Sequence, residues 1–534
     1  MSSILGGDAD LVEWLANGWA ASSETALLLP CLDRYARPDP LAAMQALPDT
    51  GKVLIVSSSE AQPPIFAHPG HVAERSADAL SGRHAGSDRW CHYEKRLIEA
   101  AEERGLDWRI VRPAPVILEQ GRDLWSRRFR RRRIVTPAGF SPPVQYLHPD
   151  DLQDGLRFAA DHFDELPPVS HLAPEDAMPL RKAFKTAGVR RLGLPFALLW
   201  LWAKLCALFG SKHADPASLD RLRYSFTVSG DALAKLGWRP RYGTAAALSD
   251  DMPVDLRHDP FGLDLDVIDG ARRTVFRFFH DLWWRVDVHG AEHVPKHGPA
   301  ILMGVHRGLV PFDAMLALHK IVGESGRVPR FLIHPALLRF PFIGDFMRGL
   351  GGVVACKENA NWVLERGEIL GLFPEGVRGA FAPYRDAYTV QRFGRAEFVH
   401  LSVRHRAPCS LFVTLGSAEV FPILSTLDWR AWKRWSGWPT FPLTPTPIPL
   451  PVKWHTLFLP PLVVETKEGA SKADARTVKR YATFVHGVLE QTLHAMRDRR
   501  RSWFSGRVLD PALIEDLSAD VSAGPKPPPG ESGA

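Results

Sequence analysis

His306 and Asp313, seven positions apart, are the residues of this 534-residue sequence whose types and spacing best suit proton transfer. A carboxylate can accept a hydrogen bond from one imidazole nitrogen, which fixes the tautomer and leaves the other nitrogen basic. Such a base can withdraw a proton from an attacking hydroxyl. The pair alone is weak evidence, because an aspartate in the first turn of a helix can equally cap that helix beside an unrelated histidine.

A second set of residues follows the apolar run ILGLF at residues 369–373. Glu375, Gly376 and Arg378 come next, in the stretch PEGVRG. A glycine lets a ligand approach the backbone closely, and the planar guanidinium of an arginine can hold a phosphate group. These residue types indicate a phosphate-binding loop, although a tight turn with a surface ion pair would show the same pattern.

The two sets together resemble the phospholipid and glycerol acyltransferase superfamily. VHRGLVPFD and LFPEGVRG match its histidine-to-aspartate and FPEG-type motifs, and three further segments lie in the expected order: VDVHGAEHVPKHGPAILM, LLRFPFIGDFMRGLGGVVACKENA and APCSLFVTLGSAEVFPIL. Six residues separate His306 from Asp313, whereas four are commonest in the superfamily. The wider spacing resembles that of the branch related to monoacylglycerol and diacylglycerol acyltransferases. The family often has an asparagine at the position of Val305 and a proline at the position of Leu411. These departures bear on the identity of the acceptor more than on the type of reaction.

The resemblance implies a reaction and a role for each motif residue. His306 would deprotonate an acceptor hydroxyl and Asp313 would orient the imidazole, so that the alkoxide attacks an acyl thioester of coenzyme A or acyl carrier protein. Glu375, Gly376 and Arg378 would bind substrate phosphate, with Glu375 shaping the loop. The acceptor stays open among lysophosphatidate, monoacylglycerol, diacylglycerol and another alcohol. Neither a metal ion nor a resident cofactor is implied.

The elements that must position these residues alternate between strands and helices, which predicts an α/β fold. Apolar runs at residues 300–305, 369–373 and 410–416 predict buried strands. The stretch 240–265 is rich in Pro, Asp and Gly and predicts a domain boundary. We therefore expect an incomplete Rossmann-like domain over residues 1–250 and a glycerolipid-acyltransferase domain over residues 268–500. A basic and then disordered tail is expected over residues 501–534.

The first domain resembles the extended short-chain dehydrogenases, as in nucleotide-sugar epimerases, through VLIVSSSEA, CHYEKRLIEAAEERGLDWRIVRPAPVIL, YLHPDDL and LAKLGWRPRY. Ser59 and Lys95 occupy family positions, but Cys91 stands where catalysis in that family needs a tyrosine. LGGDAD at residues 5–10 is a poor substitute for the glycine-rich turn that holds a dinucleotide pyrophosphate. We therefore expect a truncated, non-catalytic domain that does not use NAD(P). The alternative is a bifunctional protein whose N-terminal half is an active NAD(P)-dependent oxidoreductase or epimerase.

Composition and charge limit the remaining function classes. The chain is 45% hydrophobic and 24% charged, which excludes a polytopic membrane protein and a wholly disordered chain. Five cysteines without CxxC spacing predict a reduced cytosolic compartment and no structural metal. The net charge of +6 suits an anionic surface such as phospholipid or nucleic acid. No nucleic-acid recognition module accompanies the run RRFRRRR at residues 127–133, so we expect no nucleic-acid partner.

Two segments indicate a membrane surface. The apolar stretch at residues 192–210 is interrupted by Lys204 and falls short of a span, which predicts a buried or interfacial helix. Trp429, Trp432, Trp435 and Trp438 recur every three residues with basic residues between them, a pattern that favours the lipid headgroup layer. We therefore expect peripheral association with the cytoplasmic face of a membrane. Packing of these tryptophans inside the domain is the alternative, and the sequence is silent on oligomeric state.

Overall fold

The structure, a computed structural model, describes residues 4–5, 25–28, 51–62, 64–66, 70–74, 85–118, 123–209, 216–225, 227–249, 258–308, 310–394, 396–466 and 472–525. The chain folds into two compact units, each described here by itself. Unit 1 comprises Met1–Leu265 and Leu337–Leu350, and unit 2 comprises Asp266–Ala336 and Gly351–Ala534.

The strands of the described residues are, in chain order, β1 (Ile4–Leu5), β2 (Thr25–Leu28), β3 (Lys52–Val56), β4 (His71–Val72), β5 (Asp107–Pro113), β6 (Arg133–Pro137), β7 (Pro143–Val144), β8 (Val169–Leu172), β9 (Met178–Pro179), β10 (Arg190–Leu194), β11 (Thr227–Val228), β12 (Asp287–His289), β13 (Ala300–Gly304), β14 (Pro329–Ile333), β15 (Val353–Val354), β16 (Ile369–Leu372), β17 (Cys409–Leu415), β18 (Ser425–Leu427), β19 (Phe441–Leu443) and β20 (His455–Phe458).

The α-helices are α1 (Ala85–Glu103), α2 (Leu124–Phe129), α3 (Pro149–Asp161), α4 (Leu180–Thr186), α5 (Phe196–Leu208), α6 (Asp231–Leu236), α7 (Leu265–Ala271), α8 (Phe312–Ser325), α9 (Ile343–Gly349), α10 (Lys357–Glu365), α11 (Val377–Ala380), α12 (Glu397–His405), α13 (Ser417–Val420), α14 (Arg430–Ser436), α15 (Ala475–Arg499) and α16 (Pro511–Ser522). No helix of the described ranges is long and apolar enough to cross a membrane.

Unit 1 is built on a parallel sheet with the strand order β1-β2-β3-β5-β8. Strand β3, which reads KVLIV, is a central strand whose last four residues are buried. An unbroken apolar run rich in β-branched residues suits such a strand, because both faces of a parallel sheet are covered. The chain enters α1 and returns in β5, where the side chains of Glu94 and Arg112 form a buried ion pair with nitrogen–oxygen distances of 2.8 and 2.6 Å.

Unit 2 contains a seven-stranded sheet with the order β12-β20-β17-β13-β16-β14-β15. Every neighbouring pair is parallel except β17 and β20. Strand β13, AILMG, lies near the centre and is buried along its whole length. The predicted α/β class is confirmed, because both units carry parallel sheets whose strands alternate with helices in the chain.

One segment predicted to lie in the second domain, Leu337–Leu350, belongs instead to unit 1. The backbone amide of Phe342 donates to the carbonyl of Gly139 at 2.7 Å, and the amide of Asp264 donates to the carbonyl of Gly349 at 3.1 Å. The buried guanidinium of Arg348 pairs with Asp345 at 2.7 Å. The two backbone hydrogen bonds anchor this segment in unit 1, whereas the ion pair lies within α9 itself. No periodicity in the sequence distinguishes one core from the other.

The predicted basic and then disordered tail at residues 501–534 contains a helix, α16, which the sequence interpretation did not predict. The carboxylate of Asp510 caps it by accepting from the amide of Leu513 at 2.9 Å, and Leu517 and Val521 are buried. Apolar residues at helical spacing behind a capping aspartate and a proline start a helix regardless of the basic and Pro-rich neighbours. Residues 526–534 lie outside the described residues.

The long C-terminal helix α15 begins behind a capping aspartate. The carboxylate of Asp474 accepts from the backbone amide of Thr477 at 2.6 Å, so Asp474 is the N-cap residue. The buried face of α15 carries Tyr481, Val485, Leu489 and Met496 among others, at the spacing of an amphipathic helix.

Candidate active site

The candidate site lies where four neighbouring parallel strands of unit 2 end. Strands β17, β13, β16 and β14 are adjacent in the sheet and parallel, so their carboxyl ends meet at one edge. His306 follows β13 by two residues, and Glu375 follows β16 by three. Open α/β sheets characteristically bind ligands outside the carboxyl ends of their strands.

The structure brings His306 and Asp313 together, as the sequence predicted. Nδ1 of His306 lies 2.8 Å from Oδ2 of Asp313, and both side chains are largely buried. Asp313 is the second residue of α8, where the positive end of the helix dipole favours a carboxylate. Its Oδ1 also accepts from the amide of Ala314 at 2.8 Å, which fixes the carboxylate.

This geometry leaves one imidazole nitrogen for chemistry. Because Asp313 can only accept, Nδ1 of His306 carries the proton and Nε2 holds a lone pair. Within the described part of the chain, Nε2 has no hydrogen-bond partner. The ring of Phe373 stacks on the imidazole with a centroid distance of 4.7 Å, so the ring plane is fixed from a second direction. The arrangement is that of an oriented general base.

Glu375 does not lie where a phosphate-binding residue would. Its Oε2 accepts from Nη1 of Arg307 at 2.8 Å and from the amide of His306 at 3.3 Å, and its Oε1 accepts from the amide of Gln391. A buried carboxylate that is already engaged by a guanidinium and two amides repels a phosphate. Glu375 therefore shapes the loop, as the resemblance also implied, but it is not a ligand for phosphate.

Arg307 is a site residue to which the sequence interpretation gave no role. Its buried guanidinium donates to the carbonyls of His306 at 2.8 Å, Ala387 at 3.1 Å and Thr389 at 2.6 Å, besides its bond to Glu375. The only sequence feature that could have pointed to Arg307 was its position directly after His306. From sequence, an arginine at that position cannot be distinguished from a solvent-exposed one.

Gly376 and Arg378 remain available to a ligand. Gly376 has φ +58° and ψ −143°, a backbone conformation that is essentially restricted to glycine. Arg378 is exposed in the short helix α11 and forms no hydrogen bond or ion pair with any other described residue. Gly379, which the sequence interpretation missed, packs so closely that a Cβ atom there would lie 2.9 Å from the carbonyl oxygen of His306.

A second buried ionic cluster borders the loop that Arg307 binds. The hydroxyl of Tyr388 donates to Oε1 of Glu419 at 2.5 Å, and Nη2 of Arg500 donates to both groups. Burial, followed by the charge of Glu419, raises the pKa of the Tyr388 hydroxyl well above its usual value, so this hydroxyl stays protonated. Arg500 follows α15 directly, so the C-terminal helix is tied to the site loop. The sequence analysis did not identify this cluster.

In unit 1, the structure describes the three positions that the dehydrogenase resemblance singled out. Ser59 is buried in a turn, and the Sγ of Cys91 lies 3.7 Å from the carbonyl oxygen of Ala61 in the same turn. Lys95 points to solvent, with 74% of its side chain exposed and its Nζ 3.7 Å from Glu99. Most of LGGDAD lies outside the described residues.

Comparison with known proteins identifies the family. The sequence model of the family described as Acyltransferase matches residues 285–408, which include His306, Asp313 and Glu375. An uncharacterized protein of Mycobacterium tuberculosis is 32% identical over 272 residues, which cover 49% of this chain and 75% of that protein. This chain belongs to the acyltransferase family. The predicted resemblance of the C-terminal half is thereby confirmed at the level of the family.

Further relatives of this acyltransferase carry functional names. A protein of Bos taurus named "DGAT1/2-independent enzyme synthesizing storage lipids" is 25% identical over 212 residues, covering 39% of this chain and 62% of that protein. The human protein of the same name is 24% identical over 212 residues, covering 39% of this chain and 64% of that protein.

Solved structures resembling this acyltransferase include two different kinds of protein. One is the 1-acyl-sn-glycerophosphate acyltransferase PlsC of Thermotoga maritima, with 17% identity, a TM-score of 0.29, and coverage of 57% of this chain and 98% of that one. The other is a UDP-galactose 4-epimerase, with 14% identity, a TM-score of 0.28, and coverage of 44% and 78%. Both TM-scores are too low to carry an argument.

The ion pair between Arg307 and Glu375 leads to a prediction about stability. The substitution Glu375→Gln should lower the free energy of unfolding by about 3 kcal/mol, because it leaves the buried guanidinium without its counter-charge. Urea unfolding of the full chain measures this change. Arg378→Gln is the matched control in the same loop and should change stability by less than about 0.5 kcal/mol, since its side chain is exposed. Equal stability of the two variants would contradict the role given to the pair.

Proposed function

We propose that this acyltransferase transfers a fatty acyl group from an acyl thioester to a hydroxyl of a glycerolipid. The observation that carries the proposal is the 2.8 Å contact between His306 and Asp313, which leaves Nε2 of His306 basic. In the proposed step, Nε2 takes the proton of the acceptor hydroxyl while the oxygen attacks the thioester carbonyl. The tetrahedral intermediate then collapses, and the imidazolium returns the proton to the departing thiolate of coenzyme A or acyl carrier protein.

The proposed acceptor is a lysophosphatidate or a mono- or diacylglycerol, in phospholipid or neutral-lipid synthesis. The exposed guanidinium of Arg378 supports an acceptor or donor that carries a phosphate. The names of the bovine and human relatives support storage-lipid synthesis. The decisive experiment incubates the purified protein with acyl-coenzyme A or acyl carrier protein and a panel of these acceptors, and identifies the products by mass spectrometry. Absence of an ester product with every acceptor would refute the proposal.

We also propose that the enzyme works peripherally at the cytoplasmic face of a membrane, because its acceptor is a lipid. Two of the four tryptophans that recur every three residues support this proposal, since the side chains of Trp429 and Trp435 are exposed. The other two are less accessible, so the pattern of four tryptophans supports the prediction only in part. Trp438 is buried against His334 and Phe381, whereas Trp432 is partly buried and donates its indole N–H to the carbonyl of Thr440. Interfacial tryptophans favour the headgroup layer.

The general-base role predicts a loss of activity without a loss of fold. His306→Ala should lower kcat by about 10²–10⁴-fold, because a positioned base contributes that much to a reaction of this kind. Asp313→Asn should also lower kcat strongly, since the amide can present a donor to Nδ1 and reverse the tautomer. Release of free thiol from the acyl thioester, followed with and without acceptor, measures the rate. A folded His306→Ala protein that retains near-normal thiol release would exclude this role.

Arg378 should contribute to substrate binding more than to catalysis. Arg378→Gln is expected to raise KM for a phosphate-bearing substrate by about tenfold, because one charge-assisted contact is worth roughly 1.5 kcal/mol. If the phosphate that Arg378 binds belongs to the acceptor, the KM for an acceptor without phosphate should stay unchanged. Steady-state kinetics with lysophosphatidate and monoacylglycerol compare the two cases. Unchanged KM values for both acceptors and for the acyl donor would remove the role.

We propose that unit 1 supplies no nicotinamide chemistry. The exposed side chain of Lys95 and the presence of Cys91 in place of the tyrosine support this proposal. Titration calorimetry of the full-length protein with NADH and NADPH should show no binding up to about 1 mM, which corresponds to a binding free energy weaker than roughly 4 kcal/mol. Binding in the micromolar range would favour the alternative of a bifunctional enzyme.

A further inference from the structure

Helix α5 of unit 1 exposes an unusual amount of apolar surface. It reads FALLWLWAKLCAL, and within it only Leu199 and Ala203 are buried. Trp202 is 67% exposed, and Phe209, directly after the helix, is 88% exposed. A helix on the surface of a soluble domain normally turns a polar face to water, and large contiguous apolar patches mark interaction sites.

The two-stranded sheet beside α5 continues this apolar surface and borders it with basic side chains. Val135 of β6 pairs with Leu192 of β10, and both side chains are exposed. Two residues earlier in each strand, Arg133 pairs with Arg190, and both are exposed. Because alternate residues of a strand share a face, the arginine pair and the apolar pair lie side by side on the outer face. Helix α5 follows β10 and contacts β6.

The segment Leu337–Leu350 adds a further apolar side chain to this surface. Phe342 is 70% exposed, and its amide donates to the carbonyl of Gly139, two residues beyond the end of β6. Gly139 has φ +77°, and a Cβ atom there would lie 2.6 Å from Pro341, so the close approach requires glycine. Phe342 itself adopts φ +64°, which is uncommon for a bulky residue. A strained backbone therefore presents an aromatic ring to solvent next to the apolar end of β6.

We propose that this surface, formed by α5, the outer face of β6 and β10, and Phe342, docks unit 1 on an anionic lipid bilayer. Thirteen helical residues extend about 20 Å, which is too short to cross a hydrocarbon core of about 30 Å but suits a helix lying in the interface. None of α5, β6 and β10 contains an acidic residue.

Charge favours lipid over a second copy of the chain as the occupant. The side chains of Arg131, Arg132, Arg133 and Arg190 are exposed next to the apolar residues, and two copies of this face would bring like charges together. Anionic headgroups neutralise them instead, at about 1 kcal/mol per basic residue near the bilayer surface. Lys204 extends over the ring of Trp200 at 4.8 Å, an arrangement in which a long basic side chain can reach the headgroups while its stem stays on apolar surface.

This proposal gives unit 1 a role other than dehydrogenase chemistry. It deepens the proposed membrane association and rests on the proposed lipid acceptor for its biological purpose. Binding to vesicles does not depend on acyl transfer, however, so the two proposals fail separately.

The test measures partition of the full-length protein onto phosphatidylcholine vesicles that contain phosphatidylglycerol. Trp202→Glu and Leu208→Glu should each lower the partition coefficient about tenfold or more, because each introduces a charge where an apolar side chain would enter the bilayer on docking. Val463→Glu is the matched control, since Val463 is a 65% exposed apolar residue of unit 2 outside the proposed surface, and this variant should bind as the native protein does. Arg133→Ser combined with Arg190→Ser should weaken binding to anionic vesicles but not to pure phosphatidylcholine.

Three outcomes would overturn the docking proposal. Native-like partition of both Trp202→Glu and Leu208→Glu would show that the surface does not touch lipid. A dimeric native protein that Trp202→Glu converts to a monomer, with vesicle binding unchanged, would assign the surface to a second copy. An equal loss in Val463→Glu would show that added negative charge, and not the site, causes the effect. Acyl transfer to detergent-dispersed substrate should be unchanged in Trp202→Glu. If the native protein transfers no acyl group, that result refutes only the proposed function, because vesicle binding is measured separately.

Discussion

The buried ion pair between Arg307 and Glu375 joins the loops that follow β13 and β16, and the candidate site depends on it. Both charges are removed from water, which is tolerated only when every hydrogen-bonding group around them is satisfied. The carbonyls of His306, Ala387 and Thr389 satisfy the guanidinium, and the amides of His306 and Gln391 satisfy the carboxylate. The pair therefore forces the backbone of His306 and the 387–391 loop into one arrangement. The orientation of the imidazole by Asp313 is useful only because this backbone is fixed.

Local sequence patterns predicted the elements that bring these loops together, because the relevant physics acts over short distances along the chain. The strands at residues 300–304 and 369–372 are continuous apolar runs, and His306 and Asp313 lie within one loop and the first turn of α8. The partners of the buried charges could not be predicted in this way. Glu375 is 68 residues from Arg307, and Arg500 is 112 residues from Tyr388, so only the folded sheet brings them within hydrogen-bonding distance. Glu375 was accordingly assigned to phosphate, although its carboxylate serves the loop.

The assignment of Leu337–Leu350 to unit 1 and the helix at Pro511–Ser522 illustrate two different reasons for error. The former segment has the composition expected of the acyltransferase domain, and its attachment rests on backbone hydrogen bonds, from the amide of Phe342 to the carbonyl of Gly139 and from the amide of Asp264 to the carbonyl of Gly349. Within the segment, Asp345 pairs with Arg348 one helical turn away; burial raises the pKa of this aspartate and lowers that of this arginine, and their mutual attraction opposes both shifts. The hydrogen bonds to Gly139 and Asp264 join backbone groups that are far apart in the sequence, so nothing in a local window reveals them. The second error was avoidable, because Asp510 and Pro511 carry an ordinary helix start before apolar residues at helical spacing.

Residue types are divided between the two units. Polar and charged groups around His306 in unit 2 are buried and hydrogen-bonded, which holds the imidazole in place but presents little apolar surface. Most aromatic and aliphatic residues of α5 in unit 1 have the opposite character, since they are exposed and only Leu199 and Ala203 of this helix are buried. Exposed apolar area of this kind costs free energy in water and is retained where a partner covers it. The proposed lipid acceptor requires both properties in one protein, because the proposed reaction needs a rigid, desolvated base whereas access to an insoluble acceptor needs apolar surface. Unit 1 can supply that surface without a dinucleotide site, since the proposed docking requires only exposed residues on an otherwise stable scaffold.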